Sequence, residues 1–149
     1  MSVLGTSVLA GQEFDALVRQ FYIRSAQHVL PLAPRPEFRE ALELLEEYDR
    51  QPTEENLARL VQVHSDLETK QNKYGGYTPS SEFRKGLLNI LTSVIYKLDS
   101  VASSDVIHFA EVAWTSARTT GARGLVSAAD EAFRHEMGYQ DSLFQFIFS

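Results

Sequence analysis

The fold class of this chain follows from the segment Pro36–Arg50, which reads PEFREALELLEEYDR. Its apolar residues recur at spacings of three and four, which is the period of an α-helix with one buried face. They are Phe38, Ala41, Leu42, Leu45 and Tyr48. The glutamates lie on the opposite face, and Pro36 suits the first helical position because its missing N–H would have no partner there. The segment therefore predicts an amphipathic helix that begins at Pro36 and is broken by Gln51-Pro52.

The same period continues on both sides of this segment and predicts about six helices in all. Before it, a helix begins near Phe14 and ends near Leu30, ahead of three prolines. After it, Thr53 is a suitable N-cap for a third helix, which the pair Gly75-Gly76 ends. The fourth helix carries the broadest apolar stripe, from Phe83 to Leu98, and is expected to be the most buried one.

The last third of the chain predicts two more helices. Ser103 or Ser104 caps the fifth, and the sixth runs from about Ala122 to Met137, where Gly138 ends it. Residues 1–11 are expected to form a loose N-terminal arm, and the apolar residues 143–149 either a helical turn or a short extended piece. The pattern thus predicts a single all-α domain, a bundle of about six helices with short connections that contain proline or glycine.

Length and composition exclude several classes of protein. A chain of 149 residues buries roughly two-thirds of the surface that its unfolded form exposes, so it can form a hydrophobic core without disulfide bonds or a structural metal. The absence of cysteine excludes disulfides, zinc ribbons and thiol nucleophiles. No segment approaches the roughly 18 apolar residues of a membrane span, and no targeting signal is recognisable, so the expected location is the cytoplasm. No metal-binding or nucleotide-binding spacing occurs, so neither a metal nor a cofactor is expected.

Negative charge is concentrated in residues 37–68. This range holds ten of the twenty carboxylates against three arginines, a formal charge of −7, whereas the whole chain carries −6. Such a surface attracts basic partners and repels phosphate, which argues against direct binding of nucleic acid. We therefore expect a non-enzymatic protein–protein interaction module of the inhibitor, immunity, adaptor or accessory-subunit type. Its acidic helical face would bind another protein with a basic surface; the alternative is that this face is an ordinary solvated helix surface.

The predicted contact residues combine charge with aromatic anchors. They are Glu40, Glu43, Glu47, Glu54, Tyr74 and Tyr77. The first three glutamates recur at helical spacing, and the two tyrosines flank Gly75-Gly76, with aromatic groups of the kind enriched at interfaces. Three C-terminal phenylalanines, in contrast, are expected to belong to the core: Phe144, Phe146 and Phe148. A homo-oligomer is also compatible with this sequence.

Two further interpretations stay open. His64 lies on the apolar stripe of the third helix, where it could face a pocket for an apolar small molecule or haem, or be a hydrogen-bonded core histidine. Arg118, Thr120 and Arg123 surround the junction of the last two helices and could bind an anion at a helix N-terminus. An enzymatic use of Arg118, Arg123 and Arg134 with His135 on a phosphorylated substrate ranks last, because no nucleophile or metal site accompanies them.

Overall fold

The computed structural model describes residues 3–96, 105–120 and 126–149, and these ranges contain six α-helices and no strand. The helices are α1 (Val3–Val29), α2 (Pro36–Arg50), α3 (Glu54–Tyr74), α4 (Pro79–Tyr96), α5 (Ile107–Thr120) and α6 (Val126–Phe148). A short 3₁₀ turn, Leu30–Leu32, follows α1. The predicted all-α class is confirmed. No helix in the described ranges has the length and apolar character that crossing a membrane would require.

Consecutive helices pack against each other along the chain, and α1 returns to contact α4, α5 and α6. In α4, ten of the eighteen residues are buried, against five of fifteen in α2 and three of twenty-one in α3. Among these three helices, the one with the broad stripe is therefore the most buried, as expected. Leu98, which the sequence placed at the end of that stripe, lies outside the described residues, as do Ser103 and Ser104.

Three phenylalanine rings connect α2, α4 and α5 in the centre of the bundle. The ring of Phe83 lies 4.8 Å from that of Phe38 and 5.3 Å from that of Phe109, measured between centroids. Gly86 permits this packing, because a Cβ at that position would lie 2.6 Å from an edge carbon of the Phe109 ring. The small residue is therefore required by tertiary contact, although glycine is a poor helix former.

Local capping chemistry fixes several of the helix ends. Pro36 stands in the first turn of α2 as predicted. Thr53 caps α3, since its side-chain oxygen accepts a hydrogen bond from the Asn56 N–H at 3.2 Å. Thr78 caps α4, because its hydroxyl oxygen accepts a hydrogen bond from the Ser81 N–H at 3.1 Å.

Helix α1 begins at Val3, so from that residue the backbone of the expected N-terminal arm is helical. One boundary prediction is wrong. Gly138 does not end the sixth helix, because α6 passes through it to Phe148. A helical glycine costs only about 1 kcal/mol relative to alanine. The flanking side chains offset that cost here: Tyr139 packs against the core, and Leu143 is buried in it.

The continuous α6 also settles the conformation of residues 143–149, which is helical rather than extended up to Phe148. The prediction that the C-terminal phenylalanines are core residues is wrong for Phe146, which is 73% exposed. Phe144 is 39% exposed, and its ring packs edge-on against Phe21 at 5.4 Å. Phe148 is half-buried. The 3.6-residue period of a helix places these alternate positions on different faces, so they cannot all point inward.

Candidate functional site

A groove runs between α2 and α3 in the acidic part of the chain, and we call it the acidic groove. Its volume is about 480 Å³. Its apolar lining comes from both helices: Ala41, Leu44, Val63 and Leu67. Three carboxylates lie beside this lining, namely Glu37, Glu40 and Asp66, and Thr69 and Lys70 complete it. Both helices are amphipathic, which explains why apolar and acidic residues share the groove: the apolar stripes of α2 and α3 face each other, and the polar residues lie at the solvent-exposed edge.

The carboxylates of this region differ in whether a cation neutralises them. Glu37 is half-buried and lies 3.7 Å from both Arg35 and Lys70. Glu40, in contrast, is exposed and forms no ion pair within the described ranges. Among the described residues, Asp66 accepts a hydrogen bond only from the neutral amide of Gln62, at 3.0 Å. The acidic groove therefore keeps uncompensated negative charge next to apolar surface.

The other predicted glutamates lie around the same two helices but are not equivalent. Glu43 is exposed and, like Glu40, forms no ion pair in the part of the chain that the structure describes. Glu47 lies 3.7 Å from Arg59, which also approaches Glu55 at 3.3 Å, so its charge is partly compensated. Glu54 is exposed in the first turn of α3, where a carboxylate stabilises the helix dipole.

The two predicted aromatic anchors have different surroundings. The Tyr74 ring is exposed, and the Lys73 ammonium lies 5.2 Å from its centroid. Tyr77 stacks on Trp114 of α5, with centroids 5.4 Å apart, and its hydroxyl donates to the Glu111 carboxylate. Burial and the neighbouring Glu111 raise the pKa of the Tyr77 hydroxyl. Tyr77 thus makes its contacts with α5, away from the acidic groove.

His64 joins α3 to α4 through a hydrogen bond. Its Nε2 lies 3.0 Å from the hydroxyl oxygen of Thr92, and that hydroxyl donates its own proton to the Leu88 carbonyl at 2.7 Å. The imidazole must therefore donate its Nε2 proton to the Thr92 oxygen, so this nitrogen already has a partner within the protein. This arrangement matches a hydrogen-bonded core histidine better than a haem ligand.

The predicted anion site near the last helix junction is only partly described. Arg118 is exposed at the end of α5, and its guanidinium lies 5.8 Å from the centroid of the Trp114 ring. Thr120 is the last residue of α5, and Arg123 lies outside the described residues. No group of three or more acidic or imidazole side chains that could hold a metal occurs in the described ranges.

A second cleft, which we call the basic cleft, lies between the end of α3 and the start of α4, with a volume of about 460 Å³. Three cations line it: Arg35, Lys70 and Arg84. Three hydroxyl residues at the N-terminus of α4 line it as well: Thr78, Ser80 and Ser81. Glu37 and Tyr74 complete the lining, so Glu37 and Lys70 belong to both clefts.

The basic cleft was not predicted from the sequence, although the sequence contains one signal for it. Arg84 is in helical register with Leu88 and Leu91, so a charged residue interrupts the apolar stripe of α4. A charge at a core position is a reason to look for a partner. No comparable signal marks Arg35 or Lys70, since their proximity depends on how three helices pack.

No protein-family model matches this chain, and the searches of curated proteins and of solved structures likewise find no significant similarity.

Proposed function

We propose that the protein is a non-catalytic binding module whose acidic groove receives a basic segment of another protein. One observation carries the proposal: Glu40 and Asp66 have no cationic partner within the described ranges and border the apolar side chains of the groove. An inhibitor, an immunity protein, an adaptor or an accessory subunit would all work in this way.

A lysine or arginine side chain of the partner fits both properties of the groove. Its aliphatic stem can cover apolar surface, while its charged end stays at the wet edge beside a carboxylate. Leu44 and Val63 are half-buried and offer the apolar surface, and Glu40 and Asp66 offer the charge. We expect the partner to be a protein of the cytoplasm rather than a nucleic acid, since the acidic surface repels phosphate.

Electrostatic complementarity of this kind acts mainly on the rate of association and on specificity. The uncompensated carboxylates Glu40, Glu43 and Asp66 would attract a basic partner over distances of about 10 Å at moderate ionic strength. Association should therefore slow as salt is added, whereas dissociation should depend on the apolar contacts of the groove.

The test compares two double variants with the same change in net charge. Glu40→Lys/Asp66→Lys reverses the charge of the groove, and the control Glu131→Lys/Asp141→Lys changes two exposed residues of α6. Partners are isolated from native lysate with the unaltered protein, purified, and titrated against all three proteins at several salt concentrations.

We expect the groove variant to lose at least about tenfold in affinity and most of the salt dependence, while the control retains both. Equal affinity of the partner for the groove variant and the control would remove the acidic groove as the binding site. Turnover of a small molecule by the purified protein would contradict the non-catalytic assignment.

A further inference from the structure

Arg84 is a buried cation without a carboxylate partner. The residue is only 4% exposed, and it forms no ion pair with any acid in the described ranges. Its Nη1 donates to the Gln71 side-chain oxygen at 3.1 Å, and its guanidinium lies 5.9 Å from the centre of the Phe38 ring. Its Nε has no hydrogen-bond partner in the part of the chain that the structure describes. Burial and the nearby Arg35 lower its pKa, against a smaller opposing effect of Glu37. Buried charges are normally paired, so this one calls for an anion.

The hydroxyl groups of the basic cleft also have unused donor capacity. Thr78 accepts from the Ser81 N–H at 3.1 Å, Ser80 accepts from the Arg35 Nε at 3.0 Å, and Ser81 accepts from the Gln71 amide at 3.1 Å. Each oxygen is an acceptor in these bonds, which leaves its own proton available to a ligand. A ligand that only accepts hydrogen bonds therefore matches all three.

We propose that the basic cleft binds the phosphate group of a small phosphorylated ligand. Three cations and one carboxylate give the cleft a formal charge of +2, which matches a phosphate dianion better than a single carboxylate. The N-terminus of α4, a helix of eighteen residues, adds its positive dipole end. The volume of about 460 Å³ exceeds what a phosphate needs, and the exposed ring of Tyr74 lies beside the remaining space. An organic group attached to the phosphate would fit there.

Gln71 holds the binding residues in place from the end of α3. Its side-chain oxygen accepts from Arg84 and its amide donates to Ser81, so one side chain orients a cation and a hydroxyl of α4. Glu37 opposes binding, because it lies 3.7 Å from both Arg35 and Lys70 and competes with the ligand for these two cations. A phosphate must therefore bind more tightly when Glu37 is neutral.

The test uses isothermal titration of the full chain with two probes, inorganic phosphate and phenyl phosphate, at constant ionic strength. The variants are Lys70→Gln, Arg84→Met and Glu37→Gln. The matched control is Lys73→Gln, which removes the same charge one turn further along α3, from a lysine that does not itself line the cleft, although its ammonium lies 5.2 Å from the centroid of the Tyr74 ring. Circular dichroism confirms that each variant is folded, and exposed Lys70 gives a reading even where Arg84→Met fails to fold.

We expect saturable binding of the probes. Lys70→Gln and Arg84→Met should each lower the affinity by about tenfold or more. Glu37→Gln should raise the affinity, and Lys73→Gln should change it by no more than about twofold. Tighter binding of phenyl phosphate would identify an organic phosphate as the ligand class, and equal binding would identify free phosphate. The proposal is overturned by the absence of saturable binding of either probe at millimolar concentration. It is equally overturned if Lys73→Gln weakens binding as much as Lys70→Gln, since the effect would then be one of overall charge.

Discussion

The Nδ1 of His28 lies 2.7 Å from a carboxylate oxygen of Glu136, which joins the first helix to the last across 108 residues of sequence. The imidazole also stacks on Tyr139 of α6, with ring centroids 3.6 Å apart. Glu136 is almost completely buried, whereas His28 is partly exposed. This contact joins the first and last helices of the bundle, which are far apart in sequence and become neighbours on folding.

The first prediction concerns the pH dependence of stability. Burial raises the pKa of Glu136 above its ordinary value, and His28 and His135 oppose this only in part. The folded protein then holds the Glu136 proton more tightly than the unfolded chain. The resulting stabilisation is fully present below the pKa in the unfolded state and is lost as the pH rises through the higher pKa in the folded state.

The variant Glu136→Gln lacks this titration. The unfolding free energy of the unaltered protein, relative to that of Glu136→Gln, should therefore be largest in acid and fall as the pH rises, by about 1.4 kcal/mol per unit of pKa difference. Urea unfolding over a series of pH values measures this difference. The exposed Glu131→Gln serves as control and should show no such trend. A difference that grows with pH would show that the ion pair, not burial, dominates.

The second prediction compares two helical glycines. At Gly86 of α4 a new Cβ would lie within 3.0 Å of three carbons of the Phe109 ring, and at Gly138 of α6 it would meet nothing within 4 Å. Gly86→Ala should therefore destabilise the protein by about 1–3 kcal/mol, because overpacking outweighs the gain in helix propensity. Gly138→Ala should stabilise it by about 0.5–1 kcal/mol. Equal effects of the two changes in denaturant unfolding would contradict the close approach of Phe109.

The third prediction concerns the stability cost of the basic cleft, measured without phosphate. Arg84→Met keeps an unbranched apolar side chain and removes a buried charge that has no acidic partner among the described residues, so the free energy of unfolding should stay the same or rise by about 1–4 kcal/mol. Arg19→Met is the matched comparison, because Arg19 lies over the Tyr48 ring but also binds Asp49 at 2.7 Å.

For Arg19→Met we expect the free energy of unfolding to fall by about 1–3 kcal/mol. The substitution leaves the amide of Gln20 as the remaining hydrogen-bond donor to Asp49 among the described residues. Added phosphate should raise the melting temperature of the unaltered protein but not that of Arg84→Met. A strong loss of stability in Arg84→Met would mean that the folded protein already satisfies the charge of Arg84 by its own contacts.

The fourth prediction concerns the loop before α4. Trp114 is the single tryptophan, and Tyr77 stacks on it while being 54% exposed. Tyr77→Ala should shift the tryptophan emission to longer wavelength and lower the unfolding free energy by about 0.5–1.5 kcal/mol. Tyr77→Phe keeps the stacking and loses only the bond to Glu111, so its emission should stay near that of the unaltered protein. An unchanged spectrum in Tyr77→Ala would show that the ring does not lie on Trp114 in solution.

The helices themselves were predictable because the signals that form them are local. Each signal acts within one or two turns of helix, so the sequence indicates the helices directly. Examples are the proline at position 36, the cap Thr53, and the spacing of Phe83, Leu87 and Leu91. The errors near the C-terminus arise because these signals are only local. Whether Gly138 ends a helix depends on what its neighbours pack against, and a local pattern does not contain that information.

The sequence by itself determined six amphipathic helices, a buried fourth helix and the concentration of acid in α2 and α3, because helix periodicity and charge are properties of neighbouring residues. Only the tertiary structure decided that Glu40 and Asp66 share a groove and that Arg35, Lys70 and Arg84 share a cleft. These groups lie on different helices, and the packing of side chains between helices sets their distances. Packing is a non-local effect, and many sequences with the same periodicity would arrange the same charges differently.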